Sequence, residues 1–178
     1  MKIVDGSVKN IDNLFEKLIL NVSGANYSVD FEGRVFRYQQ DDSFTSETLE
    51  QLYEGELRYF DDKERLFIEG PVHSASFDLI KKKVHKYLTL TFTGDPRGYK
   101  DFLNESILWS IRPEAAKQRL DAFWGIISAH FTLPPTHCFE HEPEQGSFLG
   151  DWDMWVFCYI FLNDITKEGI IIASRAYD

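Results

Sequence analysis

Residues 136–144 read THCFEHEPE and bring two His, one Cys and three Glu into nine positions, the densest group of metal-capable side chains in the chain. Zinc takes His nitrogen, thiolate sulfur or carboxylate oxygen, with four ligands in a structural site and three plus water in a catalytic one. His137 and His141 are four apart, Cys138 and His141 are three apart, and His130 precedes them at the end of a helical pattern. These four are the candidate ligands and zinc is the candidate ion. Glu140 or Glu142 would then serve as base in a small metal-dependent hydrolase built on residues 137–142. The pattern is thin, however. Pro134-Pro135 before it and Pro143 after it argue against a regular helix that would converge these pairs. No second ligand cluster completes a Cys2His2 set, and the order is not the His-Glu-x-x-His of metallopeptidases. The plainer reading is a polar, acidic loop whose histidines pair with neighbouring carboxylates. The expectation is therefore no bound cofactor, with zinc as the alternative.

Other stretches carry weaker chemistry. Glu56–Glu64, ELRYFDDKE, sets acids around Tyr59 and Phe60 and reads as an exposed hairpin. Asp61, Asp62, Glu64 and Tyr59 are its candidate binding residues, against the plain alternative that Asp pairs favour tight turns. Asp151, Trp152 and Asp153 enter the strand that follows the His-rich loop. Aromatic and acidic groups together suit a cation or a basic side chain, and Trp is favoured at interfaces. Trp152 and Trp155 are three apart, so on a strand they point to opposite sides and cannot line one pocket. KKKVHK at 81–86 is the one basic cluster and reads as a solvated turn between strands. GDPRG at 94–98 lacks the Walker or dinucleotide pattern. In GSFLG, 146–150, the Ser stands second rather than third, which excludes a nucleophile elbow.

The chain has 178 residues, of which 43% are hydrophobic and 15% aromatic, ample for a core and against disorder. No apolar run is long enough to span a bilayer, and the first twelve residues lack the apolar region of a secretory signal. Two cysteines, Cys138 and Cys158, make no disulfide framework. A reducing, cytoplasmic setting fits. The net charge is −10, unevenly spread. Residues 1–60 carry 6 basic and 11 acidic groups, residues 61–112 carry 9 and 8, and residues 113–178 carry 4 and 10. Such a balance repels phosphate backbones and anionic membranes. It favours encounter with a protein partner of opposite charge.

The elements that must position these residues follow from spacing. Ile11, Leu14, Phe15, Leu18 and Val22 predict a helix with Asn10 as its cap. Tyr27–Phe31 and Arg34–Gln39, split by Glu32-Gly33, predict a hairpin. A short helix after Ser46 and a second hairpin over 57–69 come next. Alternation predicts strands over 73–79 and Tyr87–Thr93, the latter with Leu88, Leu90 and Phe92 on one face. Helical spacing returns over 99–107. Pro113 then opens a helix whose stripe is Ala116, Leu120, Phe123, Trp124, Ile127 and Phe131. WDMWVFCYIFLN is apolar on both faces and belongs in the middle of a sheet. A turn over 163–169 leads to a last strand, Ile170–Ala173, antiparallel to it.

These elements predict a single α+β domain over 1–178. It has a mainly antiparallel sheet of about six to eight strands and two long helices packed on one face. In general character, though in no motif, the chain resembles immunity and inhibitor proteins, which are small, acidic and aromatic-rich. The functional expectation is a non-catalytic, acidic, cytoplasmic protein that binds a protein partner, with a basic partner favoured and a homodimer open if a sheet face is uncovered. The alternative is the metal-dependent hydrolase.

Overall fold

The computed structural model describes residues 1–19, 28–39, 72–93, 113–141 and 153–177. In chain order these form β1 (Lys2–Ile3), β2 (Lys9–Asn10), α1 (Asp12–Ile19), β3 (Ser28–Gln39), β4 (Val72–Ser74), α2 (Phe77–Thr93), α3 (Pro113–His130), β5 (His137–His141), β6 (Asp153–Asn163) and β7 (Glu168–Tyr177). The sheet runs β1-β3-β7-β6-β5-β4, with β2 also on β3, and every pairing is antiparallel. Among the described residues this is an α+β architecture on a seven-stranded antiparallel sheet.

The doubly apolar run sits where its sequence puts it. β6 lies between β7 and β5. Phe157, Tyr159 and Phe161 face the helices, whereas Cys158, Ile160 and Leu162 face the opposite side, and all six are buried. β7 repeats the pattern, with Ile170 and Ile172 toward the helices and Ile171 and Ala173 away. Each fully buried Phe or Ile contributes about 1.5–3 kcal/mol, so this two-sided strand pair dominates the stabilisation of the sheet.

The helical layer closes one face. The stripe on α3 is as the spacing requires: Leu120, Phe123, Ile127 and Phe131, just past its end, are buried, and Trp124 is half-buried beside them. Phe15 of α1, Phe31 of β3 and Phe123 of α3 form a ring cluster with centroids 5.2–5.6 Å apart, which joins two helices to one strand. Asn10 Oδ1 accepts from the Asp12 amide at 2.7 Å, so the start of α1 is held by the residue expected to cap it.

Two expectations are overturned. Residues 77–93 form one helix, not the strands expected over 73–79 and 87–93; only Val72–Ser74 is extended. Phe77, Ile80, Val84 and Leu88 recur at three- and four-residue spacing, and the last three are fully buried. The alternation of Leu88, Leu90 and Phe92 is a short period-two pattern laid over that longer helical one, and packing follows the longer one. KKKVHK is thus the middle of a helix rather than a turn.

Glu32-Gly33 is likewise no hairpin turn. β3 is continuous, with Glu32 opposite Ala173 and Gly33 opposite Ile172. Gly33 is needed for space, because a Cβ there would lie 2.6 Å from Phe15 Cε2 and 2.8 Å from Ile11 Cγ1. The glycine lets α1 press onto the strand, and the Gly33 amide donates to Asp12 Oδ1 at 2.6 Å. Arg34 pairs with the same carboxylate.

The helix after Ser46, the hairpin over 57–69, the turn at 94–98 and the helical spacing over 99–107 lie outside the described residues. So do Tyr59, Asp61, Asp62, Glu64, Asp151 and Trp152.

Candidate functional site

The His-rich stretch is a strand, not a loop. β5 pairs with β4 on one side and β6 on the other, with His137 opposite Leu162 and His141 opposite Cys158. Strand geometry therefore decides where its side chains go. His137, Phe139 and His141 point to the sheet face away from the helices, whereas Cys138 and Glu140 point toward them. At about 3.3 Å per residue the two histidines are about 13 Å apart along the strand, with Phe139 between them.

The four candidate ligands do not converge. His130 lies at the end of α3 with Nδ1 3.4 Å from Lys9 Nζ. Cys138 is buried under the helices, and that burial pushes its thiol up to about 12, so no thiolate is available near neutrality. Glu140, the alternative base, is paired with a lysine. Its two oxygens accept from Lys83 Nζ of α2 at 2.7 and 2.6 Å, tying the helix to the sheet. His141 is 4% exposed. Among the described residues no group of three or more His, Cys, Asp or Glu is placed to hold a metal ion. A strand alternates its side chains between two faces, which separates residues that a loop could gather. Asp153 opens β6, opposite Tyr177.

His137 does find a carboxylate, from a direction that no local spacing indicates. Its Nε2 donates to Asp164 Oδ2 at 2.7 Å, across the start of the β6–β7 turn. Tyr38 Oη of β3 donates to the other oxygen at 2.8 Å. Lys167 Nζ is 3.9 Å from that same oxygen and lies over the Tyr38 ring at 5.8 Å. Burial opposes ionisation of Asp164, but hydrogen bonds from Tyr38 and His137 and the charges of His137 and Lys167 outweigh it. The carboxyl therefore sits below its ordinary value. For Tyr38, burial and the hydrogen bond to Asp164 both push the hydroxyl up. Asp164 thus stays ionised and Tyr38 protonated across the physiological range.

The turn itself is held from several sides. The buried Asn163 Oδ1 accepts from the amides of Ile165 and Thr166 at 3.0 and 3.2 Å, and its Nδ2 donates to Thr132 O at 3.2 Å. The Asp164 amide donates to Thr136 Oγ1 at 2.9 Å, while the Thr136 amide donates to Leu162 O at 2.8 Å. Lys167 closes the turn in the left-handed region at φ 56°. Beneath it, Gly169 lies under the ring of Phe36, where a Cβ would collide with the ring. From this frame Ile165 projects 86% exposed.

A second feature lies on the helical layer. Lys81 Nζ rests over the rings of Phe77 and Trp124 at 5.5 and 5.6 Å, and Trp124 Nε1 donates to His85 Nε2 at 3.0 Å. Burial and the charge of Lys81 hold His85 below its usual value, with Asp121 opposing. The network around Asp164 escaped sequence reading because its members come from residues 38, 137, 164 and 167. The one usable signal was the expected β6–β7 turn. The spacing of Trp124 assigns it to the core stripe and carries no sign of its contacts with Lys81 and His85.

The sequence matches no protein-family model and no curated protein. Among solved structures the chain is similar to two crystal structures of citrus MAF1. One has a TM-score of 0.51 at 12% identity, covering 92% of this chain and 97% of that one. The other has a TM-score of 0.47 at 13% identity, covering 92% and 98%. At such identity the first likeness concerns the fold alone. No helix among the described residues is long and apolar enough to cross a membrane.

Proposed function

We propose that this chain is a non-catalytic, cytoplasmic protein that acts by binding a protein partner, and that the β6–β7 turn is one contact. The observation that carries this reading is Ile165, a large apolar side chain 86% exposed on a turn braced by Asn163, Asp164, Thr136 and Tyr38. A lone exposed apolar residue means little in itself. A rigid one is different, because ordering cost is already met before binding, and preorganised apolar anchors are where interface energy concentrates. The net charge of −10 favours encounter with a basic partner.

The test is quantitative partner recovery from the native cell with tagged wild type and Ile165→Asp at equal abundance. Burying an isoleucine in a partner pocket is worth about 1.5–3 kcal/mol, or roughly ten- to a hundredfold in affinity. A protein enriched on the wild type and lost on the variant, with the variant's thermal unfolding unchanged, supports the contact. Identical recoveries refute it.

A further inference from the structure

The outer face of α2 is unlike the rest of this acidic chain. On a helix, residues three, four and seven apart adjoin one another. Leu79, 46% exposed, therefore stands among Lys82, Lys83 and Lys86. Lys83 reaches down to Glu140, but Lys82 and Lys86 are exposed and make no ion pair among the described residues. On the α3 side Lys81 is fixed over Phe77 and Trp124. Among the described residues the other exposed titratable groups of these two helices are Asp78, His85, Lys117 and Asp121. With Lys83 engaged by Glu140, Lys81, Lys82, Lys86 and Lys117 stand against two exposed aspartates, Asp78 and Asp121, among the described residues of these helices.

We propose that this face docks an acidic protein segment carrying an apolar side chain, with Leu79 meeting the apolar group and Lys82 and Lys86 its flanking carboxylates. The surface shares no residue with the β6–β7 turn, and Ile165→Asp separates the two contacts experimentally. Charge complementarity argues for the occupant. At physiological ionic strength charges are screened within about 8 Å, so the lysines act locally although the whole chain is acidic. A nucleic acid fits less well, since phosphate binding needs a broad positive footprint and the net charge is −10. The fixed Lys81 and the tie from Lys83 to Glu140 hold α2 against the layers beneath, so the face is presented on a rigid element.

The probe is a fluorescent twelve-residue Glu-rich peptide with one central Leu, titrated by anisotropy in physiological salt against the full chain. Saturable binding is expected. It should weaken about tenfold or more in Lys82→Glu/Lys86→Glu, since rim charge reversal replaces attraction by repulsion, and several-fold in Leu79→Ser. All three substitutions are on exposed positions and should leave unfolding unchanged. Ile165→Asp should bind the peptide as the wild type does. Absence of binding, or equal binding by the Lys82→Glu/Lys86→Glu variant, overturns the proposal. So does tighter binding of a single-stranded RNA of equal charge at the same face. A wild-type dimer that Lys82→Glu/Lys86→Glu dissociates would assign the face to a second copy instead, and would also overturn it.

Discussion

Asp164→Ala tests whether the side-chain network, rather than the strand pairing alone, holds the β6–β7 turn. The wild-type carboxylate accepts from Tyr38 Oη at 2.8 Å and from His137 Nε2 at 2.7 Å. These partners are not equivalent. Tyr38 is 1% exposed, so its bond to an ionised acceptor is worth about 1.5–3 kcal/mol. His137 is half-exposed and turns to water when the carboxylate is removed, so its share is about 0–1 kcal/mol. The sum is about 1.5–4 kcal/mol of destabilisation. Tyr38→Phe alone should cost about 1.5–3 kcal/mol, the worth of that one bond. If the two groups act through one bond, the double variant loses less than the sum of the singles by about 1.5 kcal/mol or more. Urea unfolding followed by tryptophan fluorescence, with all four proteins in the cycle, gives the numbers. Additive single effects, or a loss below about 0.5 kcal/mol for Asp164→Ala, would refute the assignment of the network as the brace.

The same carboxylate sets an acid dependence. Its folded-state value lies below the ordinary 3.8, so its ionised form stabilises the fold at all pH above 3.8, and that contribution is lost as pH falls through the folded value. The stability gap between wild type and Asp164→Asn should therefore be constant from neutrality to about pH 5 and close only in stronger acid; a gap that closes between about pH 6 and 7 would show that another group controls it. Gly33→Ala should destabilise by about 1–3 kcal/mol through overpacking against Phe15, with partial recovery in Gly33→Ala/Phe15→Leu. No recovery in that pair would mean that backbone conformation, not the contact with α1, requires the glycine. Cys138 should resist iodoacetamide in the folded protein and react after unfolding, because burial keeps its thiol protonated. Rapid labelling of Cys138 in the native state, read by peptide mass spectrometry, would contradict its place beneath the helices.

Several features were determined by the sequence alone. A run apolar on both faces can be satisfied only inside a sheet, so WDMWVFCYIFLN had to be a central strand, and β6 is one. The stripe from Leu120 to Phe131 has a single period and no competing pattern, and it became α3. Where two periods overlapped, local reading chose wrongly. The 77–93 segment alternates over seven residues but repeats helically over twelve, and only the sheet beneath it selects the longer pattern. Glu32-Gly33 carries turn chemistry, yet its glycine answers to a helix pressing from outside the strand. The site was the least legible part. THCFEHEPE suggested convergence, but β-pairing sends successive side chains to opposite faces and separates them. His137 instead meets Asp164, 27 residues away, because the register of β5 on β6 brings the strand beside the turn. Composition and period are local properties, and a sequence displays them directly. Which carboxylate a histidine meets depends on strand order and register, which many distant contacts decide together.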